Sequence, residues 1–424
     1  MYSPVITAQI FFESSGGTML NRLINTVQNL DEALYHRPFL QAISVAMQQS
    51  VPILAIDIYC RLFFKLAISP DALLANIFYD YPIIPDSVSD QLMFIIQNLD
   101  VAVTMIFVIG LTYHYLTQKG IENTTLPIIT NFIAIYMLLF AKNQSTTNTA
   151  IHYLLVTLFT LLSCFTYYWY YRRLKTTTSP FSLKYLLWAT TMISASLLLH
   201  IGLHLSSITT IISNLLSKNF FTTFSGLLLI SILSPLLFIV GFSLPSELSS
   251  NQTSFNAMIS NLDKFLTHGL ATSPLPFPEN LYSIYGAFTL FGGVGNTLAL
   301  NILLLFTISK KYKRLSILSW FPSLFDNNYL LYAGLPMFLR PLMLVPMLLV
   351  NITSMLISYV AIAGHIVQPA IFITPNNLPN MLLPTLASAT PIRSTILAIL
   401  IFSVSLLIYR PFLKRLTTEV THEK

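Results

Sequence analysis

The chain has 424 residues, 54% of them hydrophobic and 9% charged, with a net charge of +6 and a mean hydropathy of +0.69. Soluble domains carry about 25% charged residues, so a water-soluble globule is excluded. The basic residues cluster beside apolar runs, where they read as topology determinants or headgroup contacts and not as a nucleic-acid surface.

Met1 to Arg37 is mixed and polar, without the short apolar core and small-residue cleavage site of a secretory signal, and is expected to stay cytoplasmic. A bilayer-spanning helix needs about 20 apolar residues. Spans are expected at 41–66, 91–116, 125–141, 150–171, 186–205, 224–244, 282–308, 342–366 and 392–410. A further piece, 315–338, is too polar at its centre for a simple span. Irregular backbone at membrane depth has to be buried in protein or line a wet cavity, so this piece is expected to enter and return as a re-entrant hairpin. The basic clusters Arg172, Arg173 and Lys175, then Lys310, Lys311, Lys313 and Arg314, then Arg410, Lys414 and Arg415, follow apolar runs. The positive-inside rule places all three in the cytoplasm. Between Glu247 and Tyr282 the chain is too polar for a lipid-exposed span, and a second shielded hairpin is expected at about 250–281. The linker 174–185 divides an N-terminal scaffold, 1–175, from a C-terminal transport part, 176–424, which holds most of the irregular elements.

Several polar residues sit inside these runs. Asp57, Arg61 and Lys65 share one helix face at i, i+4, i+8 spacing; they read as a coupling-ion site or as a buried pair with Lys65 snorkelling to the interface. Asp100 could bind a cation or bond a neighbouring helix. His200 and His204 have metal-compatible spacing but no third ligand nearby, so no metal site is expected. Cys60 and Cys164 lie in apolar runs and read as packing. Tyr167 to Tyr171, YYWYY, is an interfacial belt beside a basic anchor.

The stretch 291–341 is the most informative. Gly292, Gly293 and Gly295 with Asn296 and Thr297 open a helix and allow close approach of backbone to a ligand or a neighbouring helix. No strand precedes them, so they are not a nucleotide fingerprint. Asp326, Asn327 and Asn328, bounded by Pro322 and Pro336, offer the donors and acceptors that sugar hydroxyls need, or form a plain loop tip.

From about residue 35 to 417 the chain resembles the membrane permease component, IIC, of the lactose/cellobiose/diacetylchitobiose class of bacterial phosphotransferase systems. FGGVGNTLAL (291–300) is similar to the family's GGSGATLGL, and FDNNYLLYAGLPMFLRP (325–341) to its FNINEPIIFGLPIVLNP. ISNLDKFLTHG (259–269), FITP (372–375) and IYRPFLKRL (408–416) have counterparts in the same order. The resemblance implies about ten transmembrane helices with two re-entrant hairpins and alternating access. It also implies a homodimer in the cytoplasmic membrane with both termini cytoplasmic, and a disaccharide or related oligosaccharide presented to separate IIB and IIA subunits. No cofactor and no catalytic residue of the permease itself are implied. The sugar site would comprise Gly292, Gly293, Gly295, Asn296, Thr297, Asp326, Asn328, Tyr329, Phe372 and Ser243.

The chain departs from the family where chemistry is expected. Tyr329 replaces the glutamate of FNINEP, Ser243 the histidine of GIHG, and Phe372 the tryptophan of WTTP; the PNIVT segment reads PLPFP at 274–278. Losing the glutamate removes an acceptor for a sugar hydroxyl proton. Three readings stay open: a working permease with altered sugar preference, a IIC-derived sensor or uncoupled facilitator, and an ion-coupled transporter using Asp57 or Asp100.

Overall fold

The computed structural model of the chain describes residues 16–78, 81–82, 84–140, 149–174, 182–206, 216, 219–242, 256–272, 275–372, 374–375 and 377–422. Helix α1 (Gly16–Tyr35) precedes the 26-residue α2 (Pro38–Phe63). α2 starts on a proline, which suits a first turn that needs no backbone N–H, and runs into a π-helical turn, Phe64–Ile68. α3 (Asp86–Gln118), α4 (Thr125–Leu139), α5 (Thr149–Leu174) and α6 (Leu183–Ser206) follow. After α7 (Phe224–Ile239) and α8 (Asn256–Thr272) come three short helices: α9 (Thr297–Leu305), α10 (Lys310–Leu324) and α11 (Tyr329–Gly334). Two long helices close the chain, α12 (Pro341–Ala363) and α13 (Pro391–His422).

Among the described residues five segments are long and apolar enough to cross a membrane: Asp86–Gln118, Tyr153–Arg172, Leu183–Gly202, Pro341–Ala363 and Pro391–Leu416. α4 and α7 are apolar but shorter. The protein is an all-α integral membrane protein, and a lone β-bridge pairs Ala370 with Ser388.

α2 packs along α3, and α4 packs on α6, which lies beyond the linker 174–185. α11 rests on α2, α10 on α9, and α12 on α7 and α13. One buried apolar cluster joins α2 to α5 with α11, α12 and the end of α13. A second surrounds Tyr282, Tyr285, Phe288 and Phe291.

The helix junctions are tied by buried amides. Asn131 on α4 donates to Thr112 Oγ1 of α3 (3.0 Å) and accepts from Ser163 Oγ of α5 (2.5 Å). Its Nδ2 also meets the Cys164 Sγ at 3.5 Å, so that thiol is packing, as expected. On α10, Ser316, Ser319 and Ser323 share the helix face turned to α9. Their hydroxyls meet Asn301 of α9 at its backbone carbonyl (2.7 Å), its Oδ1 (3.2 Å) and its Nδ2 (3.0 Å), respectively.

The structure overturns one expected span. Residues 282–308 are not a continuous helix but a π-helical turn, Leu281–Gly286, a Gly-rich turn, and the nine residues of α9. The cause is local: Gly292, Gly293, Gly295 and Asn296 all take positive φ, which a right-handed helix cannot carry. Across the expected hairpin at 315–338 the chain forms α10, a turn at 325–328, and α11, with α10 beginning at Lys310 and α11 ending at Gly334. Of the other expected hairpin, at about 250–281, α8 and residues 275–281 are described, while 250–255 and 273–274 lie outside the described residues.

Replacing Asn301 by leucine leaves the buried Ser323 hydroxyl without its donor in the α9–α10 junction, while Ser319 keeps the Leu315 carbonyl at 2.8 Å. Each buried unsatisfied group costs about 1–3 kcal/mol. The variant is expected to show a clearly lower unfolding midpoint in detergent, and an unchanged midpoint contradicts the zipper.

Candidate binding site at a broken membrane segment

The centre of the candidate site is the turn from Phe291 to Asn296. Gly292 has φ +77°, and a Cβ there would stand 2.4 Å from the Leu298 backbone nitrogen. Gly293 has φ +99°, and its Cβ would stand 2.7 Å from Asn328 Nδ2. Glycine is required at both for conformation and for space. The turn is closed from inside. Phe291 N donates to Asn296 Oδ1 (3.0 Å), Gly293 N to the Leu290 carbonyl (2.9 Å), and the Thr297 hydroxyl to the Gly292 carbonyl. Asn296 Nδ2 donates to Ser354 Oγ (3.1 Å) and Ser405 Oγ (3.0 Å). Gly295 N donates to Asn351 Oδ1 (3.1 Å), and Tyr409 donates to the Gly295 carbonyl (2.5 Å). Asn351 in turn donates to Ser234 Oγ at 3.1 Å, and Tyr285 donates to that same hydroxyl.

Over this turn lies the hairpin tip. Asp326 is left-handed, φ 60°, a conformation that short polar side chains tolerate. Its Oδ1 accepts from Gly292 N (2.8 Å) and its Oδ2 from Asn380 N (2.7 Å). Asn380 also donates through Nδ2 to the Leu290 carbonyl (3.3 Å). One carboxylate therefore joins the Gly-rich turn, the hairpin tip and the loop before the last helix. No described lysine or arginine forms a salt bridge with it. Asn327 Oδ1 accepts from Tyr329 N at 3.3 Å and starts α11.

Asn328 differs from its neighbours. It is 6% exposed, it packs on Gly293, and its Nδ2 has no hydrogen-bond partner. Buried donors in native proteins are nearly always paired, and an exception calls for an explanation such as a bound ligand.

The structure thus brings together Gly292, Gly293, Gly295, Asn296, Thr297, Asp326 and Asn328, with partly buried Tyr329 one residue beyond. Asn296 and Thr297 are fully buried and direct their side chains into the protein. Phe372 belongs to another edge. Its ring meets Phe265 of α8 edge-on at 5.2 Å, and its carbonyl accepts from Tyr282 OH (3.2 Å). Ser243 lies outside the described residues. Sequence reasoning did not single out Asn261, Asn351 or Asn380. Asn261 grips Phe277 at both its carbonyl (2.5 Å) and its nitrogen (2.9 Å), fastening the PLPFP segment to α8. The available signal was an isolated Asn in an apolar run or a Pro-bounded loop.

The charged residues of α2 form a separate group. Arg61 Nε reaches both carboxylate oxygens of Asp57 (3.1 and 2.9 Å), and its Nη2 contacts Asp100 of α3. His200 Nδ1 donates to the Leu138 carbonyl (2.7 Å); the His204 side chain lies outside the described residues.

No family model matches the chain. Curated relatives do. A stretch of 129 residues, 30% of this chain and 26% of the relative, is 31% identical to the PTS system cellobiose-specific EIIC component of Lactococcus lactis subsp. lactis. The chain is related to phosphotransferase IIC components. A stretch of 143 residues, 33% of this chain and 31% of the relative, is 26% identical to the lichenan permease IIC component of Bacillus subtilis. Its oligo-beta-mannoside-specific EIIC component is 28% identical over 124 residues, 29% of this chain and 28% of the relative. The matched stretches span about a quarter to a third of the relatives' length. The crystal structure of the transporter ChbC, a IIC component, aligns over 97% of this chain and 99% of its own at 16% identity, with a TM-score of 0.43.

Asp326→Asn keeps the size of the side chain but turns one acceptor into a donor facing a backbone N–H. The expected cost is about 1–3 kcal/mol. Hydrogen exchange should rise locally at 290–293 and 378–381; unchanged protection there removes Asp326 as the joint.

Proposed function

We propose that this protein is the IIC permease of a sugar phosphotransferase system. It carries a β-linked disaccharide or related oligosaccharide across the cytoplasmic membrane and presents it to a separate phospho-IIB. It acts as a homodimer with both termini in the cytoplasm. The observation that carries the reading is the unpartnered Asn328 amide, seated on Gly293 at the tip of a broken membrane element. A sugar hydroxyl is the acceptor it lacks. The names of the relatives support the same class: cellobiose, lichenan and oligo-beta-mannoside.

The residues have distinct roles in this reading. Asn328 donates to the sugar, and the Tyr329 and Phe372 rings offer apolar faces. Asp326, with both oxygens already accepting backbone donors, holds the site in shape. Phosphoryl transfer needs nothing covalent from the permease; the donor is external.

One observation favours a second reading. Tyr329 stands where the resembling family has glutamate, so the tip offers no ready acceptor for a hydroxyl proton. A IIC-derived facilitator or sensor that binds sugar without phosphorylation fits that substitution.

Calorimetric titration with cellobiose separates these readings from unrelated functions. The parent protein should show a saturable site. Asn328→Ala should weaken it about tenfold, the loss of one good hydrogen bond; equal affinity in the variant removes Asn328 from the site, and no binding of any β-linked disaccharide removes the sugar reading. Vesicles supplied with phospho-IIB should accumulate sugar phosphate if coupling is intact. If the parent binds but does not couple, Tyr329→Glu is expected to raise product formation, and no gain rules out the substitution as the cause.

A further inference from the structure

The turn that ends the second hairpin, Leu335 to Arg340, is held from outside by α1. Arg340 is 7% exposed and Asp31 of α1 is 2% exposed. The Arg340 Nε donates to Asp31 Oδ2 at 3.0 Å, and Leu342 N donates to Asp31 Oδ1 at 3.2 Å. The same guanidinium lies 4.9 Å from the centre of the Tyr35 ring, and the Tyr35 hydroxyl reaches the Pro336 carbonyl at 3.5 Å. The turn is strained: Leu339 is left-handed, φ 50°, which for a bulky residue persists only where its surroundings over-determine it. Its nitrogen donates to the Ile239 carbonyl at the end of α7 (3.1 Å).

This clasp is close to the candidate site. α11 has six residues and so spans about 9 Å; Asn328 stands at one end and the clasped turn at the other. α1 is also tied to the last helix, where Arg415 Nη2 donates to Asn25 Oδ1 (3.0 Å). It packs chiefly on α12, although residues 36 and 37 alone connect it to α2.

We infer that Asp31 and Arg340 are positioning residues for the hairpin that carries Asn328, and that α1 moves with the sugar-site half instead of with the first span. For its consequence on sugar binding the inference rests on the function proposed above. A buried ion pair costs desolvation, but removing one partner strands the other in an apolar site. Asp31→Asn leaves Arg340 charged and weakens the acceptor of the Leu342 N–H, so the hinge opens locally.

Hydrogen exchange on the purified full chain tests this. In Asp31→Asn, segments 25–35 and 335–342 should exchange about tenfold faster or more, while 350–360 in the same helix α12 stays as in the parent. Asp31→Glu, which keeps the carboxylate, should restore most of the protection. Unchanged exchange at 335–342, or an equal rise along all of α12, overturns the clasp, the latter because it reports general loss of stability. In parallel, Asp31→Asn should raise the cellobiose Kd about tenfold, and an unchanged Kd beside a loosened hinge overturns the positioning role. Asn25→Cys with Arg415→Cys, joined by a short thiol-reactive cross-linker, tests the motion. Cross-linked protein should move sugar as fast as its single-cysteine controls, and arrested transport with intact binding overturns the shared movement. A parent that binds no sugar defeats the proposed function, while the exchange result still decides the clasp.

Discussion

Polar groups inside a chain this apolar must find partners within the protein, because lipid offers none. Most of the described architecture can be traced from that requirement. Asn131 joins α3, α4 and α5; Asn301 joins α9 and α10; Asn351 joins the Gly-rich turn to α7. Asn261 and Asn280 fasten the return from α8. In each case the carbonyl end accepts and the amino end donates, so the side chain acts as a two-ended rivet. Among the buried carboxamides of the described residues, Asn328 Nδ2 stands out as unmatched. Where every other buried amide is satisfied, a single exception beside a glycine that makes room for it marks a place built for something else.

Asp326 shows the same constraint applied to charge. A carboxylate at the tip of a membrane hairpin could have been a cation site. Here two backbone N–H groups from different segments occupy its two oxygens. The consequence is chemical as well as structural. With Asp326 engaged, the group that the tip leaves unmatched is the Asn328 amide, a hydrogen-bond donor and not a base.

Much of this was legible in the residues. Apolar run length located α3, α5, α6, α12 and α13, and the Asp-Asn-Asn triplet between prolines located the hairpin tip. The break in 282–308 was half visible: the glycines stand in the sequence, but the apolar length of the run points to a continuous span. Hydropathy sums over a window and is blind to φ, so three positive-φ glycines, near neutral in hydropathy, can interrupt a run with little change in its score. The Asp326–Asn380 bond and the Asp31–Arg340 pair were not visible, since each joins residues far apart in the chain. An isolated polar residue in an apolar run signals that a partner exists but not which one.

The distribution of these bonds bears on movement. Within the N-terminal helices and within the part that holds the Gly-rich turn, the junctions hold buried, two-ended hydrogen bonds. Between α2 and the hairpin arm α10 the bonds are of another kind: Tyr59 to the Leu318 carbonyl (2.9 Å) and Lys311 to Gln48 (3.2 Å), both involving exposed side chains. The contact between α2 and α11 is otherwise made by apolar side chains. Breaking an exposed hydrogen bond costs little, because water or headgroups replace it, whereas opening a buried one strands a donor or an acceptor. Apolar surfaces can also exchange neighbours with no directional penalty. The molecule is therefore weakest in polar bonding along α2 and the hairpin and strongest on either side of it. The Asp57–Arg61–Asp100 group lies wholly on the α2–α3 side and the Asp31–Arg340 clasp ties α1 to the other. If the two halves shift past each other, both ion groups can travel intact, and the two-residue link at 36 and 37 is where the chain must bend.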